Sequence, residues 1–222
     1  MKIKPIIKVS QTMAEQVLNY LEKEIMSGRY KPGDRLVERE IAEGLGVSRV
    51  PVREALIMLE RWGFAKRNKK SREVAAFTRR DINELYQTLA IIEVAALYAK
   101  VMENDQKLFA DLGEIIGHLD LLAAGGDVGK YRKVNSRFHH HIAEALNNRR
   151  LYEIYRDISR MERWFQSLTI LHKRRMERSN AEHKRLLAAC QSGDLAAVRG
   201  ILEHHYGQAV EVICRSLPLI EA

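Results

Sequence analysis

The chain has 222 residues, 46% hydrophobic and 30% charged, which allows two domains with a core each and fits a soluble globular protein. No run reaches the ~18 uninterrupted apolar residues of a membrane span, and MKIKPIIKVS lacks the apolar region of a secretory signal, so a cytoplasmic protein with no membrane partner is expected. The net charge of +8 is uneven: residues 1–78 hold 16 Lys/Arg against 10 Asp/Glu, the rest 21 against 19, which points to an anionic partner for the first part, nucleic acid first. Cys190 and Cys214 are too few and too far from any CxxC pattern for a disulfide framework or a cysteine zinc site, and both are expected as small buried hydrophobes.

Taken in chain order, TMAEQVLNYLEKEIMS (12–27) has apolar residues at 13, 17, 18, 21 and 25, the spacing of an amphipathic helix. Thr12 and Glu15 make a capping box, and Gly28 with the turn Lys31-Pro32-Gly33-Asp34 ends the element. VEREIAEGLG (37–46) predicts a short helix ending at Gly46, and Ser48 can cap a third, SRVPVREALIMLERWG, which tolerates Pro51 in its first turn. Two short helices about a glycine-containing turn make a helix-turn-helix, the second being the recognition helix. FAKRNKK and SREVAAF then read as two strands about a basic tip, Lys69-Lys70, which completes a winged helix-turn-helix. Arg49 and Arg53 share a face at the end of the recognition helix that would enter a major groove, where arginine can bond a guanine edge. The alternative is that they only solvate an exposed helix.

PGDRLVEREIAEGLGVSRVPVREAL, Pro32 to Leu56, resembles the signature of the GntR superfamily of bacterial transcription regulators. The resemblance implies operator contacts from Arg39, Arg49 and Arg53, with Ser48 at the start of the same helix. The wing departs from the family: Ser71 stands where a glycine is usual, leaving Lys69, Lys70 and Arg72 as candidates to hold phosphates.

From Asp81 the chain shows no strand alternation, and helices are predicted near 81–102, 105–123, 128–146, 148–172, 177–192 and 194–216. The fold class is therefore mainly α: a winged helix-turn-helix over 1–78, then an all-α bundle over 79–222, for which the family resemblance implies effector binding and dimerisation. At 100° per residue, Val134, Phe138, Ile142 and Ala145 form the apolar stripe of the third bundle helix, which puts His140 on the solvent side. His139 and His141 flank the stripe, and Asn135, four residues before His139, points to the same spot. On the last helix Val198, Leu202, Ala209 and Val212 define an inward stripe that includes His205 and excludes His204. His183 shares a face with Leu187 and Cys190. Asp194 lies eleven residues from both His183 and His205, so a hairpin would set them level, as metal ligands or as core histidines each bonded to a carbonyl or carboxylate.

FHHHIAEALNNRRL and EHKRLLAACQSGDLAAVRGILEHH resemble the helical effector domain, of FCD type, in the FadR-like branch of the same superfamily. The resemblance implies a divalent metal, with His139, His183 and His205 as ligands and Asn135 in the place of an aspartate. Three histidines suit zinc, with nickel or manganese as alternatives, and an amide oxygen makes the site weaker or more selective. The family also carries an arginine for an effector carboxylate on the first bundle helix, where this chain has Leu89. Either another group, for instance Arg137 or Arg163, takes that role, or the ligand differs from the family's usual small organic acids.

The function expected is a homodimeric regulator, a repressor, that binds double-stranded palindromic operator DNA under control of a small metabolite, an organic acid, bound near the metal. Two rivals remain: a direct metal sensor, and a metal-dependent hydrolase. No Glu or Asp accompanies the histidines in an HExxH-like spacing, which counts against the hydrolase.

Overall fold

The computed structural model describes residues 11–68, 71–167, 169, 173–217 and 219–220. It divides into two compact units, the boundary falling between Ala76 and Phe77. Lys69 and Lys70 lie outside the described residues.

The first unit opens with α1 (Met13–Met26), started by the expected capping box: Thr12 Oγ1 accepts from the Glu15 amide and the Glu15 carboxylate accepts from the Thr12 amide. Next come β1 (Arg35–Leu36), α2 (Glu38–Leu45) and α3 (Arg49–Arg61), then β2 (Ala65–Arg67) and β3 (Arg72–Val74). Gly46, at φ 66°, ends α2 in the left-handed region, where a side chain would be strained. Ser48 sits at the N-cap of α3 but its hydroxyl makes no capping bond, a correction to the expectation from residue type. The wing has two antiparallel pairs in the order β1-β3-β2. β1 was not expected, since two residues after a Pro-Gly turn carry no alternation to read. Val17, Leu21, Ile25, Val52, Leu56, Leu59 and Phe64 fill the core.

The second unit consists of α4 (Arg79–Met102), α5 (Gln106–Gly125), α6 (Val128–Ala145), α7 (Arg149–Ser167), α8 (Lys173–Ser192) and α9 (Leu195–Ser216). The helix predicted from 177 begins at Lys173, and the end of the one predicted to reach 172 lies largely outside the described residues. Aspartates start three of these helices: Asp105, Asp127 and Asp194 each accept from a first-turn amide. α4 packs on α9, α6 and α7, and α5 packs on α8 and α6. By length and composition α4 could cross a membrane, at a mean hydropathy of 1.3, although it holds no run of 18 uninterrupted apolar residues. Half of that apolar window is buried inside the unit, and Glu93 at its middle is 0% exposed. Cys190 is buried as expected, whereas Cys214 is only partly so.

The buried face of α6 is Tyr131, Asn135, Phe138, His139, Ile142 and Ala143, turned slightly from the expected stripe, so that Val134 and Ala145 are only half-buried. His140 is not solvent-exposed. α7 covers that side of α6, and His140 Nε2 lies 3.0 Å from Ser159 Oγ and Nδ1 3.4 Å from the Tyr152 hydroxyl. Burial, followed by the Arg163 charge, pushes the imidazole down to about 4. Periodicity within one helix cannot reveal a neighbour that docks on its polar side.

Candidate functional sites

In the first unit a concave groove is lined by Arg35, Arg39, Arg49, Arg67 and Arg72, with Glu38 among them. Glu38 organises it from the first turn of α2. Its carboxylate accepts from Arg53 Nε at 3.1 Å and Arg72 Nη1 at 3.2 Å, with Arg49 Nη2 at 3.7 Å. The Arg53 bond is the largest influence on the Glu38 carboxyl and, with the surrounding arginine charges, holds it below the usual range although burial pushes it up. Arg49 and Arg53 keep 61% and 54% of their side-chain surface exposed, so the shared face at the N-terminus of α3 is open to a partner. Arg39 is 70% exposed beside Glu43, and Ser48 is exposed. Arg72 departs from its expected role. Only 13% exposed, its guanidinium lies between Glu38 and Glu60 at 3.2 and 3.0 Å, so it braces the wing against α2 and α3 and has little surface to offer a phosphate. Arg35 and Arg67 were missed by the sequence reading, although both stand in stretches it singled out, PGDR and FAKRNKK.

In the second unit α6, α8 and α9 bring His139, His183 and His205 together. Their ring centroids lie 4.8 to 5.3 Å apart, and one nitrogen from each falls within 4.8 Å of the others. The hairpin geometry read from Asp194 thus sets His183 and His205 side by side, ring centroids 4.8 Å apart and tilted by 51°, while His204 stays 58% exposed. All three histidines are buried. His139 Nδ1 lies 3.0 Å from Glu93 Oε2, and His205 Nδ1 lies 2.7 Å from Glu182 Oε2. A carboxylate on Nδ1 fixes the proton there and turns Nε2 inward as a lone-pair donor, the usual support for a metal-ligating imidazole. Glu93 is itself held by the Tyr155 hydroxyl at 2.5 Å and by the Tyr206 hydroxyl. The carboxylates that no sequence spacing supplied therefore arrive from α4 and α8, and both are engaged in orienting imidazoles. Glu93 was missed because it lies 46 residues from His139.

The electrostatics favour neutral imidazoles at His183 and His205. Burial, then the neighbouring histidines, pushes His183 well below its ordinary value. His205 is also lowered, burial outweighing the Glu182 hydrogen bond. For His139 burial is again the largest influence, but Glu93 outweighs it in sum and the net direction is up. Both His183 nitrogens and Asn135 Oδ1 are buried with no hydrogen-bond partner among the described residues. Such groups are rare in folded proteins, and each costs about 1–3 kcal/mol unless something completes it. The three imidazole nitrogens fit a first-row divalent ion.

Beside the histidines is a cavity of about 70 Å³, lined on its polar side by Arg132, Asn135, Glu162, Arg175 and His205 and on its apolar side by Ala209, Val212 and Ile213. Burial pushes the Glu162 carboxyl up to about 7, and Gln166 Nε2 donates to it at 2.8 Å. Neither arginine expected there lines the cavity. Arg137 is exposed on the outer side of α6, and Arg163 lies on α7 within 3.4 Å of Ser159. Leu89 is completely buried. The cavity arginines are instead Arg132, three residues before Asn135 and so on its face, and Arg175, at the start of α8.

A winged helix-turn-helix with an exposed arginine groove, followed by a helical bundle with a buried donor cluster, defines a DNA-binding regulator. The chain belongs to the FCD domain family, whose model matches residues 84–208, and it carries the DNA-binding domain of the bacterial regulatory proteins of the gntR family over residues 13–73. It is a GntR-family transcriptional regulator. Its relatives include a Bacillus subtilis protein titled uncharacterized HTH-type transcriptional regulator YdhC, 25% identical over 88% of both chains. Another is the Nta operon transcriptional regulator of Aminobacter aminovorans, 29% identical over 85% of this chain and 90% of the relative. Among solved structures, McbR/YncC of E. coli shares the fold at a TM-score of 0.68, with 24% identity over 93% of this chain and 99% of that one.

Proposed function

We propose that the protein is a cytoplasmic homodimeric repressor that binds a palindromic operator through Arg39, Ser48, Arg49 and Arg53, and that a small organic acid bound in the helical unit beside a divalent ion controls that binding. His139, His183, His205 and Asn135 would hold the ion, zinc first and nickel or manganese as alternatives. When bound, the ion supplies a positive centre to which an acidic ligand can attach. The chain's own part is to prepare that centre. Glu93 and Glu182 hold two imidazoles in one tautomer, and burial keeps His183 neutral. A ligand can change operator affinity only by its differential affinity for two arrangements of the dimer, so a useful switch needs about 1–3 kcal/mol of coupling.

The observation that carries the reading is His183, a fully buried imidazole with both nitrogens unpartnered at the centre of the cluster. The test is the melting temperature of chelator-treated protein with and without zinc, for wild type and His183→Ala. A ligand at a hundred times its dissociation constant adds about 2.7 kcal/mol to the folded state, so zinc should raise the wild-type value clearly and leave the variant unmoved. Equal responses would show that the histidines are not the site. Operator release by zinc alone, with no organic ligand, would identify a direct metal sensor.

A further inference from the structure

α4 carries more apolar surface than the helical unit covers. Its apolar window has a mean hydropathy of 1.3, yet only half of that window is buried. A helix that is apolar on all sides is ordinarily enclosed. What stays outside forms one stripe: Ile91, Ala95, Tyr98 and Met102 follow one another at i, i+4, i+7 and i+11, the spacing of a single helix face. Ile91 is 69% exposed and Met102 77%, with Ala95 exposed and Tyr98 half-buried between them. α9 packs beside α4 and extends the face, so that Arg199, Glu203 and Gly207 line one open groove with Ile91, Ala95 and Tyr98.

The charges on this face balance. Arg199 lies over the Tyr98 ring at 5.7 Å from its centroid, and its Nε donates to the Tyr98 hydroxyl at 3.4 Å. Glu203 stands one turn further along α9, and neither residue makes an ion pair among the described residues. The chain carries a net +8, so two copies repel on the whole, whereas this face presents one cation and one anion. A two-fold contact sets a patch against itself, residue i meeting j and j meeting i. A lone arginine and a lone glutamate one turn apart then make two crossed pairs, with the apolar stripe closed against its own copy beside them. Gly207 suits the same use. A mid-helix glycine costs about 1 kcal/mol relative to alanine, and a Cβ at this position would meet nothing within 4 Å, so the packing of one copy does not require it.

We infer that the face of α4 and α9 around Ile91 and Ala95 is where a second copy of this chain docks, in a two-fold contact that pairs Arg199 of each copy with Glu203 of the other. This rests on the reading of the protein as a homodimer and adds where the two copies meet. A palindromic operator calls for the same symmetry.

Sedimentation velocity of the full-length protein over a hundredfold range of concentration tests this, with circular dichroism to check that each variant is folded. Wild type should sediment as a dimer. Ile91→Arg, at a position that one copy leaves open to water, should raise the dissociation constant at least a hundredfold with the helical spectrum unchanged. Ile154→Arg, at an equally apolar position on α7 that is 49% exposed, should leave the dimer as it is. Arg199→Glu and Glu203→Arg should each weaken the dimer tenfold or more, and the double variant should recover most of that loss, because the crossed pairs form again with their signs exchanged. That recovery decides the matter even if Ile91→Arg fails to fold. A dimer that survives Ile91→Arg, or a double variant no tighter than either single one, would overturn the assignment of this face and leave the homodimer reading standing. Dissociation by Ile154→Arg alone would move the interface to α7. A monomeric wild type would overturn the homodimer reading and this inference together.

Discussion

The two units handle charge in opposite ways. In the DNA-binding unit, Arg49 and Arg53 share one carboxylate, Glu38, and remain more than half exposed, so water and a single acid satisfy them together. In the helical unit, His139, His183 and His205 are buried, and among the described residues the carboxylates beside them reach two of the three. A groove of the first kind can exchange one partner for another at small cost, because an exposed ion pair contributes about 0–1 kcal/mol. A cluster of the second kind carries unmet hydrogen-bonding capacity that only an occupant relieves. The first arrangement suits a surface that meets a polyanion and leaves it, the second a site that changes state when something enters.

The sharpest way to break this contrast is at Glu93. It is 0% exposed and accepts from Tyr155, Tyr206 and His139, so Glu93→Ala strands three buried donors at once. A loss of about 3–5 kcal/mol is expected in chemical denaturation, the magnitude for breaking a buried charged network by removing one member. Zinc affinity should fall 10–100-fold, since the orientation of His139 is lost with it. A loss below about 1 kcal/mol would mean that the helical unit tolerates unpaired polar groups as readily as a surface does.

A smaller effect is expected at Glu38, the corresponding carboxylate of the other unit, which is only partly buried and has three arginines around it. Its folded-state value is depressed, chiefly by the Arg53 hydrogen bond, so its contribution is fully present above the ordinary 4.5 and is lost as pH falls through the lower folded value. The denaturant midpoint of the first unit, followed by Trp62 fluorescence in a Trp164→Phe background, should therefore drop as pH is lowered below 4.5. Glu38→Gln should flatten that acid limb. An unchanged limb would mean that the arginines are held by something other than Glu38.

Legibility followed the same division. The winged helix-turn-helix could be read because its signals are local: a capping box four residues wide, a glycine with a positive φ ending α2, and two arginines one helical turn apart. The histidine cluster could be read as far as one hairpin reaches, so that His183 and His205 followed from their distances to Asp194. What supports the cluster could not, because Glu93 meets His139 across 46 residues and a different helix. His140 was misplaced for the same reason, α7 being invisible from within α6. The cavity arginines could not be read from the family's slot on the first bundle helix, which holds Leu89. The spacing of Arg132 from Asn135 was available and would have put it on the right face.

The smallest prediction separates a residue's type from its use. Thr12 and Ser48 are both N-cap residues by position, yet only the Thr12 hydroxyl accepts a first-turn amide, at 3.2 Å, while the Ser48 hydroxyl makes no such bond. Thr12→Ala should cost about 1 kcal/mol and Ser48→Ala no more than a few tenths, measured as shifts in denaturant midpoint. Because α3 does not depend on the Ser48 hydroxyl, a loss of operator affinity in Ser48→Ala cannot be ascribed to fraying of the recognition helix and must come from the DNA side. An equal stability loss in both variants would show instead that the hydroxyl does cap α3 in solution, and it would return Ser48 from the binding surface to the scaffold.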